Sequence, residues 1–179
     1  SILASFGPDI AEALGLLADA LSAKGGILVR LSKESSGLLD EEFFDFPVVY
    51  IHGKYPSTPA VDAFLETVGG VRFGAGACLA LARAVRDGVP QTSSIVTVAG
   101  DGVQTPLNLE VPYGISVGEL LEQCGAFGVI QQVVAGGLMT GRIVGPQSPL
   151  HPGVTALTAQ AETPEPPRSA CTGCGRCAA

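Results

Sequence analysis

The stretch from Ser93 to Gly137 constrains the fold more than any other part of the chain. "SIVTVAG" is rich in β-branched residues and reads as a strand. "DG" follows as a turn, and "TPLNLEVPYG" sets Leu107, Leu109 and Val111 on one face of a second strand. The two predict a hairpin. Ser116 with Glu119 three residues later is a capping box, opening a helix whose inner stripe is Leu120, Leu121 and Cys124 and whose stop is Gly125. "VIQQVVAGG" then reads as another strand.

The residues before Ser93 follow a different rhythm. "GPDIAEALGLLADALSAKGG" predicts a helix from Pro8 with Ile10, Ala13, Leu14, Leu17 and Leu21 on one face, ended by Gly25 and Gly26. "ILVRL" and "FPVVYIHGKYP" read as strands. A helix starting at Thr58 and Pro59 turns Val61, Phe64, Leu65 and Val68 inward, and "GACLALARAVRDG" is a helix of small residues. This alternation predicts an α/β fold, with a partial Rossmann-like, largely parallel layer over residues 1–92. The order after Ser93, strand, strand, helix, strand, is that of a β-grasp module, a ubiquitin-like sheet wrapped on one helix, over 93–145. From "PQSPLHPG" to "ETPEPPRSA" proline content rises and periodicity fades, so 146–170 reads as a linker to a cysteine segment at 171–179. The acidic "LLDEEFFDF" reads as a short amphipathic segment with a solvated face.

Cys78 and Cys124 stand alone on apolar helix faces and read as core residues, whereas Cys171, Cys174 and Cys177 form C-x-x-C-x-x-C. This is not the even, spread framework of a secreted disulfide scaffold; a reducing cytosol suits it better. A disulfide within the triplet leaves an odd thiol. Zinc calls for two cysteine pairs or cysteine with histidine, and His52 and His151 show no paired spacing. Three thiolates on a tight loop suit a 4Fe-4S cube, with zinc and an uncommitted tail as the open alternatives. A formal net charge of -7 without a basic patch argues against nucleic acid as the main partner. No run of about 18 apolar residues is free of charge or proline, so no membrane span is expected. The apolar opening carries Asp9, Glu12 and Asp19 and lacks the basic start of a signal peptide. The absence of an initiator methionine and a cysteine run that stops at Cys177 read as the edges of a longer protein.

Taken in order, these pieces resemble the C subunit of the bacterial Rnf electron-transport complex and its relatives, such as the cobalamin reductase of propanediol use. The resemblance rests on Lys54-Tyr55-Pro56 after a strand, on "VTVAGDGVQTPLNLEVPYG" and "ELLEQCG", on "AGGLMTG" from Ala135 to Gly141, and on the cysteine triplet. It implies a flavin- and NADH-type α/β domain, an SLBB-type β-grasp domain and a truncated ferredoxin segment. The implied role is an electron-transfer subunit working between a reduced nicotinamide or ferredoxin and iron–sulfur and flavin centres. The implied metal ligands are Cys171, Cys174 and Cys177, and the implied flavin or nucleotide contacts are Lys54, Tyr55, Gly74 and Gly76. Implied partners are other redox subunits or ferredoxin, with membrane contact only through them, on the cytoplasmic side.

Several positions depart from the family pattern. Its glycine-rich nucleotide loop is missing before the first helix, Ser57 and Thr58 stand in place of its Gln-Gly, and Gly74 occupies the position of its Asn. FMN and NADH are therefore expected to bind these residues weakly or not at all. The rival expectation is a non-redox module that holds a partner protein or a cobalamin-like ligand. No acid–base pair for catalysis stands out, which leaves enzyme chemistry in this chain open. "RFGAGA", from Arg72 to Ala77, offers backbone amides to a phosphate at a helix start, or else tight helix packing. "GGLMTG" offers a sharp turn with Met139 as a soft contact surface, or else a seal between the two units.

Overall fold

The apolar stripes fold onto two separate cores, one built on Ile10, Ala13, Phe43, Cys78 and Ala82, the other on the residues after Ser93. The computed structural model describes residues 2–31, 42–51, 58–161 and 173. Lys54, Tyr55, Cys171, Cys174 and Cys177 lie outside the described residues.

The first core is built by α1 (Ile2–Ser5), α2 (Gly7–Ala20), β1 (Leu28–Leu31), β2 (Glu42–Phe43), β3 (Phe46–Ile51) and α4 (Ala75–Asp87), and α3 (Thr58–Val68), between β3 and α4 in the chain, contributes nothing to it. Pro8 sits in the first turn of α2, where its missing N–H leaves no helix bond unmade. Ile10 and Ala13 of α2 pack with Cys78 and Ala82 of α4, and these small side chains let the two helices approach closely. β1 runs parallel to β3, as expected. The sheet is nevertheless mixed, because β2 turns back antiparallel onto β3. In "LLDEEFFDF" Phe43 is 3% exposed and belongs to the core while Phe44 is 53% exposed, which suits an amphipathic segment and adds a short strand to it. Val61, Phe64 and Leu65 form a half-buried stripe on α3, as expected, while Val68 is half exposed.

The second core lies between α5 (Val117–Gln123) and a sheet of β4 (Ser93–Ala99), β5 (Leu107–Pro112), β6 (Gln132–Ala135), β7 (Arg142–Val144) and β8 (Ala156–Gln160). The predicted hairpin forms with Val96 opposite Leu109 and Val98 opposite Leu107. The strand order is β5-β4-β8-β6-β7, with β8 parallel to β4 and antiparallel to β6. Val96, Val98, Val133, Leu157 and Ala159 point inward onto Leu120, Leu121 and Cys124. The sheet wrapped on one helix is thus the observed arrangement. The linker reading of 146–170 needs correction, because 156–160 is the central strand. "ALTAQ" hides this well: only Leu157 and Ala159 face the core, and the strand is held mainly by its two neighbours.

β4 and β8 approach so closely that a Cβ on Gly100 would collide with the Ala159 carbonyl oxygen, and Gly100 itself has φ +121. The capping box is fully formed. The Glu119 N–H donates to Ser116 Oγ at 3.2 Å, and the Ser116 N–H donates to the Glu119 carboxylate at 2.9 Å. Ser116→Ala is therefore expected to destabilise the chain by about 1 kcal/mol, lowering the melting temperature by about 2–4 °C in calorimetry.

Candidate functional site

α4 begins at Gly74, an N-cap with φ -74 and ψ 147 and no side-chain cap. The carbonyl of Gly74 accepts from the Ala77 and Cys78 N–H groups. Gly74 and Gly76 are exposed, and a Cβ on either would meet nothing within 4 Å. Tight packing therefore does not explain these glycines. An open helix start of this kind has anion-accepting character, but the nearby guanidinium of Arg72 lies 3.7 Å from Asp62 instead. Of the four residues that resemblance implies for a flavin or nucleotide, the structure describes these two. No polar side chain caps the helix start beside them.

The second glycine cluster, 136–141, is rigidly built. The Gly136 N–H donates to the Ala156 carbonyl at 2.8 Å, and the Gly141 N–H donates to the Gly137 carbonyl at 2.6 Å. Gly136 has φ +99, and a Cβ on Gly141 would lie 2.6 Å from the Ala135 oxygen and 2.7 Å from the Gly137 oxygen. Only glycine fits at both positions. The loop does not seal the two units together: Leu138 is 62% and Met139 70% exposed. Beneath it lies a groove of about 330 Å³ lined by Gln132, Val134, Leu138, Gly141, Ile143 and Gln160.

One contact between the units is ionic and has no signal in the sequence, because its partners are far apart in the chain. Arg83 Nη1 and Nη2 on α4 donate to the two carboxylate oxygens of Glu110 on β5 at 2.5 and 3.2 Å, and Ser93 Oγ donates to the same carboxylate at 2.9 Å. The Arg83 guanidinium also sits 5.3 Å from the Phe6 ring centroid. Arg86, one turn on, ties α4 to Asp9 and Glu12 of α2. The hydrogen bond from Arg83 holds the Glu110 carboxyl below the usual glutamate range against the opposing effect of burial, and Ser93 adds to the lowering. Because the folded-state pKa is lowered, the stabilisation is present above the unfolded value of about 4.3 and is lost as pH falls through the lower folded value. Glu110→Gln should lower the melting temperature by about 1–2 °C at neutral pH, the scale of a partly exposed pair. The gap should begin to shrink as pH falls below the unfolded value of about 4.3 and close below the lower folded value; a gap that persists in strong acid would place the effect elsewhere.

Cys78 and Cys124 are buried free thiols, as expected of core residues, and burial pushes both thiols up. Among the described residues no group of three or more His, Cys, Asp or Glu is arranged around a metal position. No described helix is long and apolar enough to cross a membrane.

Comparison with known proteins places this geometry. Residues 95–142, from the hairpin to the start of β7, match the SLBB domain family. The C subunit of an ion-translocating oxidoreductase complex from Rhodobacter capsulatus is 31% identical over 94% of this chain and 37% of its own length. The C subunit of a proton-translocating ferredoxin:NAD(+) oxidoreductase complex from Clostridium ljungdahlii is 29% identical over 62% of the chain and 25% of its own. The C subunit of the Pseudomonas aeruginosa ion-translocating oxidoreductase complex is 39% identical over 58% of the chain and 14% of its own. The chain thus spans little more than a third of the Rhodobacter relative, and less of the others. Residues 95–142 of the chain thus carry an SLBB domain, and 94% of the chain is similar to the C subunit of the Rhodobacter ion-translocating oxidoreductase complex.

Proposed function

We propose that the chain is part of an electron-transfer subunit of a bacterial redox complex, passing electrons between a reduced nicotinamide or ferredoxin and iron–sulfur and flavin centres. These centres belong to the complete protein and its partner subunits. One observation carries the reading: a C-x-x-C-x-x-C triplet follows the SLBB unit in a chain similar to subunits named as parts of oxidoreductase complexes. The donor set suits the group. Cys171, Cys174 and Cys177 offer three thiolates at ferredoxin spacing, and Gly173 between the first two has φ +67, a turn that favours glycine. A 4Fe-4S cluster held there would supply one-electron storage. The described sheet closes at an anchored residue: the Ala161 N–H, next after β8, donates to Asp101 at 2.9 Å.

A flavin fits the described residues less well. Gly74 and Gly76 supply an open helix start without a polar side chain beside them, and Lys54 and Tyr55 would have to supply the rest. FMN is accordingly expected to bind this chain no tighter than micromolar, followed by quenching of its fluorescence. Sub-micromolar binding would mean that the α/β layer carries a working flavin site.

The partial Rossmann-like layer is assigned to 1–92, the SLBB unit to 93–161 in place of 93–145, and the start of a ferredoxin-type segment to 171–179. Membrane association is assigned to partner subunits, on the cytoplasmic side. The competing reading is a binding or assembly module without redox chemistry, favoured by the exposed apolar loop at 136–141. Anaerobic purification of the full-length protein separates the two. Visible absorbance that bleaches with NADH or reduced ferredoxin supports electron transfer, and a colourless, iron-free protein supports the module.

A further inference from the structure

The two units are joined thinly. Their cores share no residue, and the covalent connection between them is 88–92, an exposed stretch with neither helix nor strand in it. Gly88 leaves α4 at φ +68, and no side chain of this stretch packs on either core. Where the units meet, Ile2, Ser5 and Phe6 stand across a gap of about 200 Å³ from Ile95, Asn108 and Glu110. Ile2 and Phe6 pack on the first core, whereas Ile95 belongs to neither. Asn108 is engaged within its own sheet, accepting from Thr97 Oγ1 at 2.7 Å. A seam without a shared apolar core leaves the angle between two domains adjustable.

The ionic contact is then what fixes that angle. Among the described residues one ion pair crosses the seam, Arg83 with Glu110, and each end is positioned by its own unit. In the first unit the Arg83 guanidinium lies 5.3 Å from the Phe6 ring centroid; in the second, Ser93 Oγ donates to the Glu110 carboxylate. Both terminal guanidinium nitrogens meet the carboxylate, so the pair sets direction as well as distance. It also flanks the connection: Arg83 lies on the last turns of α4 before Gly88, and Ser93, which holds Glu110, is the first residue after Thr92. The two side chains are nevertheless 29% and 40% exposed, so salt screens them and their hold is weak. A directional but weak contact beside an exposed connection is suited to opening and closing.

We propose that the Arg83–Glu110 pair is a latch that sets the angle between the two units, with 88–92 as the hinge, and that the units swing apart when the two charges are screened or opposed. Opening changes the distance between residues carried by the two units without unfolding either, since each keeps its own core. The latch is independent of the redox reading of the chain.

Spin labels on keto-bearing residues introduced at positions 20 and 122 of the full-length protein, both exposed and on different units, read the angle as a distance by double electron–electron resonance. Labels of this chemistry leave the cysteines untouched. One narrow distance is expected at about 0.01 M salt, and a second, displaced population should grow at about 1 M, where the screening length falls to about 3 Å. Glu110→Gln should raise the displaced fraction at low salt by up to about fivefold, the upper scale for a partly exposed pair. Glu110→Arg sets two cations against each other and should reverse the salt effect, displaced at low salt and closing as salt rises. That reversal distinguishes a latch of charges from lost packing, which does not change sign with salt. A distance that stays the same with salt and in both variants overturns the proposal. So does a broad distribution in the unmodified protein at low salt, or a salt response of the same sign in the unmodified protein and in Glu110→Arg. The salt series on the unmodified protein decides the matter even where a variant fails to fold.

Discussion

A fragment of residues 93–161 is expected to fold alone and melt cooperatively, while a fragment ending at residue 145 is expected to stay unfolded. The difference is β8. Its removal strips the hydrogen-bonding partner from β4 on one side and from β6 on the other, cutting the sheet into two hairpins with nothing between them. It also deletes Leu157 and Ala159, which are 1% and 0% exposed, from the floor on which α5 rests. Losing one buried leucine costs about 2–5 kcal/mol, comparable to the whole stability of about 5 kcal/mol expected at the low end for a small domain. Two-stranded hairpins are marginal in water by themselves. The buried members of the second core all lie between Val96 and Ala159, so the longer fragment keeps every one of them. Far-UV circular dichroism with a thermal scan reads the result. A folded 93–145 fragment would mean that β6 can close directly on β4, and the closeness of Gly100 to Ala159 would then be incidental.

What could be read from the sequence divides by the kind of physics involved. Local signals are clear: the capping box at Ser116 and Glu119, the stop at Gly125 and the period-two pattern of the β4–β5 hairpin all appear where expected. Each of these is decided within a few residues, so one sequence contains the whole cause. β8 was missed because its strand character is conferred by β4 and β6, not by its own composition. The Phe43 strand was missed for a related reason: one buried aromatic side chain sits among acidic neighbours whose charge dominates the local pattern. The Arg83–Glu110 and Arg142–His151 contacts are products of tertiary placement and could be read only from the structure. The helix start at Gly74 and Gly76 was correctly located, whereas its packing role was not, because open space around a glycine leaves no trace in sequence.

Replacing Cys174 by serine in the full-length protein is expected to remove iron and electron transfer together. Cys174 is the middle cysteine of the triplet, two residues from each neighbour, and in the proposed site no shift of the other two can fill its place. A thiol becomes a good ligand by losing its proton, which a metal readily induces from a starting pKa of about 8.5. A serine hydroxyl is far less acidic and gives a poor iron ligand near neutral pH. Iron and acid-labile sulfide at this site should fall to about a tenth of the unmodified level or lower, within the range that disturbed metal sites show, and reduction by NADH or ferredoxin should fail with them. Cys124→Ala supplies the control. That thiol is fully buried in the second core, so its loss should lower the melting temperature and leave the iron in place. Loss of zinc instead of iron from the Cys174 variant would make the triplet a zinc site. Undiminished iron and activity would remove the cysteines from the redox path altogether.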